Sequence, residues 1–184
     1  MDFATPERAV PLRLIGGRGH YERVIEEVLH AQVSVWIATA NLKSLMVEGT
    51  RGRRYESMLS VLASLARRGV ELRILHAELP SRPFREAFDE EPDLLEGGLE
   101  LRLCPRVHFK AVIVDGRFLY LGSANWTGAG LGVRSSKKRN FELGVVTEDE
   151  QMLDDVQAYY ETIWRGGACA DCALRDTCDA PLDR

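Results

Sequence analysis

The sequence predicts an α/β domain, and two observations carry that prediction. Apolar runs bounded by glycine, proline or charge alternate with stretches whose apolar residues recur at helical spacing. The chain has 184 residues, enough to bury one core and too few for two ordinary domains. A hydrophobic content of 45% against 28% charged residues is that of a folded chain and excludes extensive disorder.

In order along the chain, residues 12–15 form a first strand. Residues 21–30 (YERVIEEVLH) place apolar side chains on one helical face, and residues 32–40 (QVSVWIATA), rich in β-branched and aromatic types, read as a buried strand. Residues 54–68 repeat the helical pattern; Gly69 ends it before a strand at 70–75. Pro80 and Pro83 then break the chain, with a short helix expected at 84–90 and a strand at 99–103. Residues 109–114 and 118–121 form a hairpin whose turn is Asp115-Gly116. A glycine-rich loop at 128–132, a strand at 141–146 and a closing helix at 150–164 complete a domain spanning residues 8–165. Residues 166–184 are a tail that holds three of the four cysteines and is expected to pack back near Cys104.

The net charge of −4 does not describe a uniformly basic nucleic-acid coat, but it hides segregation. Arg134, Lys137, Lys138 and Arg139 form one basic run and Arg51, Arg53 and Arg54 another, while acidic residues gather at 86–93 and 148–155. No segment has the apolar length of a signal peptide core or a membrane span, so a cytoplasmic location without membrane insertion is expected. In a reducing compartment, clustered cysteines point to metal or cluster ligation before disulfides.

One segment carries chemistry. His108-Phe109-Lys110 is followed by four residues, Asp115, six residues, and Gly122-Ser123-Ala124-Asn125. A strand projects alternate residues to one side, so His108 and Lys110 share a face, and the hairpin returns Asn125, Ser123 and the Gly122 backbone to the same end. An imidazole, an ammonium and several donors converging there suit the oxygens of a phosphodiester. The segment resembles the signature of the phospholipase D superfamily, His-x-Lys, four residues, Asp, six residues, Gly-Ser-x-Asn, at every position and both gaps. Trp126-Thr127 and Asn140-Phe141-Glu142 extend the resemblance, which spans most of the chain apart from the cysteine tail.

The resemblance implies a mixed central β-sheet flanked by helices on both faces. It also implies that His108 is the nucleophile of a phosphohistidine intermediate, with Lys110, Asn125 and Ser123 holding phosphoryl oxygens, a reaction that needs no metal. Neutral His108 needs an acceptor to hold one ring nitrogen protonated, and Glu142 is the candidate. Asp115 is expected to support the site from behind, although a carboxylate at a tight turn can equally serve its backbone. The joint match at fixed spacing separates His108 from His20, His30 and His76, which are expected to be surface or helix-end residues.

Double displacement uses a second histidine, and the chain has one signature. Family members of this form usually pair as homodimers around a shared site, so His108 of each subunit is expected to contribute. Cys169-x-x-Cys172, five residues, Cys178, with Cys104 as the fourth, resembles the ligand spacing of iron–sulfur nucleases of unrelated fold. Four thiolates suit a structural [4Fe–4S] cluster or a tetrahedral Zn2+. The basic run Arg134, Lys137, Lys138 and Arg139 and the single-signature form favour a DNA or RNA substrate and hence an endonuclease. A phospholipase D or phosphatidyltransferase acting on phospholipid, and a nucleic-acid-binding module with a structural metal cluster, are the alternatives.

Overall fold

A computed structural model describes residues 2–48 and 55–183. The basic knot Arg51, Arg53 and Arg54 lies outside the described residues. The strands are β1 (Arg13–Gly16), β2 (Ser34–Thr39), β3 (Met46–Glu48), β4 (Tyr55–Ser57), β5 (Glu71–His76), β6 (Glu100–Leu103), β7 (Lys110–Val114), β8 (Phe118–Gly122) and β9 (Leu143–Thr147). The helices are α1 (Glu26–Leu29), which continues a wider turn over Tyr21–Ile25, then α2 (Met58–Arg67), α3 (Arg82–Asp89) and α4 (Glu150–Trp164).

Seven strands form the central sheet in the order β1-β9-β8-β7-β2-β5-β6, and β3 pairs with β4 as a separate ribbon. β2, β5 and β6 run parallel, while β7, β8, β9 and β1 join them through antiparallel pairs, so the sheet is mixed. Helices cover both faces. Val24, Val28, Leu59, Leu62 and Phe84 from the helices before β6 pack on the face carrying Val35, Ile37, Ile74, Val112 and Tyr120. On the opposite face α4 supplies Leu153, Tyr160, Ile163 and Trp164 against Ala38, Leu75, Ala111, Ile113 and Leu119. Tyr160 stacks between Trp36 and Trp164, and the Arg73 guanidinium lies 4.8 Å from the Trp36 ring centroid.

The differences from the sequence reading lie at element ends. The helix expected at 54–68 begins at Met58, because Tyr55–Ser57 pair with β3 and the Ser57 side chain then accepts from the Leu59 N–H as an N-cap. Pro83, read as a break, occupies the first turn of α3, where its missing N–H costs nothing. The last strand begins two residues later than expected, leaving Phe141 fully exposed ahead of β9. The turn between β7 and β8 has positive φ at both Asp115 (54°) and Gly116 (62°), the backbone of a type I′ hairpin.

The topology decides where a site can be. The C-terminal ends of β1, β2, β5, β6 and β8 lie at the same edge of the sheet as the starts of β7 and β9. Residues 39–43, 76–78, 104–109, 123–127 and 140–142 therefore crowd that edge, which is where open α/β sheets bind ligands.

Candidate active site

His108 is exposed just ahead of β7, and Lys110, the first residue of that strand, is only 8% exposed. Lys110 Nζ donates to the His108 carbonyl and lies 3.4 Å from His108 Nδ1, so the ammonium and the imidazole share one edge of the strand. Burial pushes the Lys110 ammonium below its ordinary value, and the negative charge of Glu142 opposes the shift.

Asn125 is held by the segment that leaves β2. Its Oδ1 accepts from the backbone N–H groups of Ala40 and Asn41, each at 3.1 Å, and from Thr39 Oγ1 at 3.2 Å. Backbone N–H groups can only donate, so the oxygen must face them, and the amide NH2 is left pointing away with no acceptor among the described residues. Thr39 Oγ1 also accepts from the Trp126 N–H at 2.9 Å, and Lys43 N donates to the Trp126 carbonyl at 3.1 Å. These bonds lock 125–127 beside 39–43, with Trp126 buried beneath.

Ser123 Oγ donates to a Glu142 carboxylate oxygen and accepts from the Leu143 N–H at 3.2 Å. The other Glu142 oxygen accepts from Asn140 Nδ2 at 3.0 Å. Glu142 thus belongs to the site, but its partners within one chain are Ser123 and Asn140 rather than His108. Gly122 is required by packing: a Cβ there would lie 2.3 Å from Tyr120 Oη and 2.7 Å from the Leu143 carbonyl. Tyr120 Oη accepts from the Ala124 N–H, and burial pushes that phenol up to about 12.

Asp115 requires a correction. It sits at the far end of β7 from Lys110, roughly 17 Å away at ~3.3 Å per strand residue. Its carboxylate accepts from the N–H groups of Gln32 (3.0 Å), Val33 (2.7 Å) and Ser34 (3.0 Å), fastening the entry of β2 to the hairpin turn. The signature aspartate fastens the sheet at the end opposite His108 and Lys110. His20 and His76 are expected at the surface or at helix ends; His20 does begin the helical turn at Tyr21–Ile25, but both side chains are buried, at 0% and 5% exposed. His20 lies edge-on to Tyr120 with Nδ1 3.2 Å from the Gly17 carbonyl, and His76 ends β5 with Nδ1 2.9 Å from the Glu78 carbonyl. Burial depresses both imidazoles below their ordinary value.

Arg134, Lys137 and Lys138 are exposed on the loop that delivers Asn140 and Glu142 to the site, and Arg139 Nε donates to the Arg134 carbonyl at 2.7 Å. No carboxylate among the described residues pairs with any of the four. Cys104, Cys169, Cys172 and Cys178 are unpaired and line a single cavity. A second cavity, of about 230 Å³, runs from Cys169 and Cys172 past Tyr159 to His108.

The family model for the cardiolipin synthase, PLD-like domain matches residues 24–164, most of the chain and every site residue except the cysteine tail. The chain belongs to the phospholipase D-like family. No curated protein matches it in sequence. Among solved structures, this phospholipase D-like chain is similar to Nuc of Salmonella typhimurium, a phospholipase D family member, at a TM-score of 0.61 and 18% identity, covering 84% of this chain and 95% of that one. NucT from Helicobacter pylori gives a TM-score of 0.60 at 18% identity with the same coverages. Phosphatidylserine synthase of Haemophilus influenzae gives 0.54 at 19% identity, but only 38% of that longer chain is covered.

Thr39 and Tyr120 are residues of this edge that sequence reasoning missed, and Asn140, noted there with Glu142, was given no role. Thr39 and Tyr120 carry no spacing signal, because both act through contacts that exist only once the sheet has formed.

Proposed function

We propose that this chain is a metal-independent nuclease that cleaves DNA or RNA through a phosphohistidine intermediate, in a site shared by two copies of the chain. The observation that carries the reading is the donor cradle at the sheet edge: Lys110 Nζ beside the exposed His108 imidazole, with the Asn125 amide turned outward by its tied oxygen. His108 attacks phosphorus as the bond to the leaving oxygen breaks; Lys110 and Asn125 hold the non-bridging oxygens as charge builds on them. The leaving oxygen takes a proton from the second His108, which then removes one from the water that opens the phosphohistidine.

Support for two copies comes from what one chain lacks and exposes. Each chain brings one signature histidine to the edge. Phe141 and Leu143 are exposed beside Glu142, and the β1–β9 register places exposed Leu14 on the same face as Leu143. Nucleic acid is favoured by Arg134, Lys137 and Lys138, exposed on the loop beside the site with no carboxylate partner among the described residues, since such cations suit a phosphate backbone.

The test is cleavage of labelled single- and double-stranded DNA and RNA in excess chelator, with a fluorescent phospholipid in parallel and His108→Ala as control. Cleavage of a nucleic acid that survives chelation and vanishes in the variant is expected. Turnover of lipid alone would overturn the substrate, and activity retained by His108→Ala would overturn the mechanism. Sedimentation is expected to give a dimer; an active monomer would remove the shared site.

A further inference from the structure

Cys104 is far in sequence from Cys169, Cys172 and Cys178, yet the four meet in one place. Cys104 lies between β6 and β7, Cys169, Cys172 and Cys178 lie in the tail after α4, and all four line one cavity with Pro105 and Pro181. They are the only cysteines of the chain, and each is partly buried and free. The tail beyond Trp164 holds no strand among the described residues, only successive hydrogen-bonded turns and one short helical segment at Arg175–Thr177. Leu174 is 39% exposed there and Leu182 is only partly buried against the α4 cluster. So little apolar burial is a weak offset to the entropy of ordering a segment of this length. A cross-link through the cysteines would supply what packing does not.

We infer that Cys104, Cys169, Cys172 and Cys178 ligate a [4Fe–4S] cluster that staples the tail to the loop carrying His108. A single zinc needs its four sulfurs at about 2.3 Å from one point, hence about 3.8 Å from each other. No three His, Cys, Asp or Glu side chains among the described residues converge so as to hold one ion. A cubane cluster gives each thiolate its own iron at a separate corner, so its four sulfurs line one cavity without meeting at a single point. Arg106 and Arg175 also line that cavity, Arg175 with its guanidinium paired to Asp183. Two guanidinium groups suit the negative charge that four thiolates give such a centre.

The consequence for the active site is positional. Cys104 N donates to the His76 carbonyl at 2.8 Å and Val107 N to the Cys104 carbonyl at 2.9 Å, so the cysteine and His108 share one short, hydrogen-bonded loop. Cys104, Cys169 and Cys172 line the neighbouring cavity together with His108 and Phe109. The cluster is a positioning element that touches neither substrate nor reacting atoms. It stands apart from the identity of the phosphodiester and holds for nuclease or lipid chemistry alike.

The test is metal and sulfide analysis of the full chain purified without oxygen, followed by anaerobic reconstitution with ferrous iron and sulfide. About four iron and four acid-labile sulfide per chain are expected, with visible charge-transfer absorption. Cys178→Ser is expected to lose most of that absorption while circular dichroism of the α/β domain is retained. Trypsin is expected to cut at Arg165 or Arg175 at least tenfold faster in the cluster-free chain. One zinc per chain would overturn the cluster, as would reconstitution that loads no iron. Cysteines recovered as two disulfides from anaerobic protein, or tail proteolysis unaffected by loading, would overturn the staple.

Discussion

Asn125 shows how a side chain acquires direction. An isolated asparagine offers acceptor and donors indifferently, but three donors from Thr39, Ala40 and Asn41 claim its oxygen and turn its NH2 outward. Asn125→Asp retains the tied oxygen and replaces the outward donors with an anion facing phosphate. Its kcat is expected to fall about 10²–10³-fold or more, the loss that follows removal of one oxyanion donor, with thermal stability little changed. A single-turnover assay beside a melting curve checks both. Asp115 is the opposite case, a signature residue that serves the fold. Asp115→Ala strips three N–H groups of their acceptor and is expected to cost about 1.5–3 kcal/mol of stability, measured by urea unfolding, with kcat unchanged in the surviving folded protein. A variant as stable as the parent would show that water replaces the carboxylate. His108, Lys110, Ser123 and Asn125 were legible because type and spacing fall together in one segment, whereas the distance of Asp115 from them follows from the length of β7.

At the scale of elements, the β7–β8 hairpin and its neighbour β9 are built around one ring. Tyr120 passes between Gly122 and Gly144, and a Cβ on Gly144 would lie 2.3 Å from the Tyr120 ring. Gly122→Ala is therefore expected to destabilise by about 1–3 kcal/mol through overpacking and to displace Ser123, so that turnover falls as well. Combining it with Tyr120→Phe, which removes the nearest clashing atom, is expected to recover part of the stability. No recovery would put the obstruction at the Leu143 carbonyl, 2.7 Å away. Strand and helix identities were legible from apolar periodicity over several residues. Their ends were not: β4 and the N-cap at Ser57 depend on β3 pairing with residues that a helical pattern also accommodates.

At the scale of the molecule, two imidazoles enclosed at the working edge link stability to acidity. His20 and His76 are neutral in the folded chain, with values depressed below the ordinary 6.5 by burial. The unfolded chain then binds more protons below about pH 6.5, so stability is full above that pH and falls as the pH drops toward the depressed folded values. Melting temperature is expected to decline from pH 7 to pH 5, and His76→Gln is expected to flatten the decline. An unchanged slope would assign the acid sensitivity to other groups, Asp149 not among them, since the Arg8 guanidinium holds it down to about 2, below this window.

The sequence by itself determined the α/β class, the order of the central-sheet strands and their helices, the family and the residues of its signature, because each is written in local periodicity or in a segment short enough for spacing to fix geometry. Only the tertiary structure decided that Thr39 aims Asn125, that Glu142 is engaged by Ser123 and Asn140, that His20 and His76 are enclosed, and that Cys104 faces the tail. Those relations join strands distant in sequence, and a parallel sheet brings their ends to one edge only after every crossover has closed.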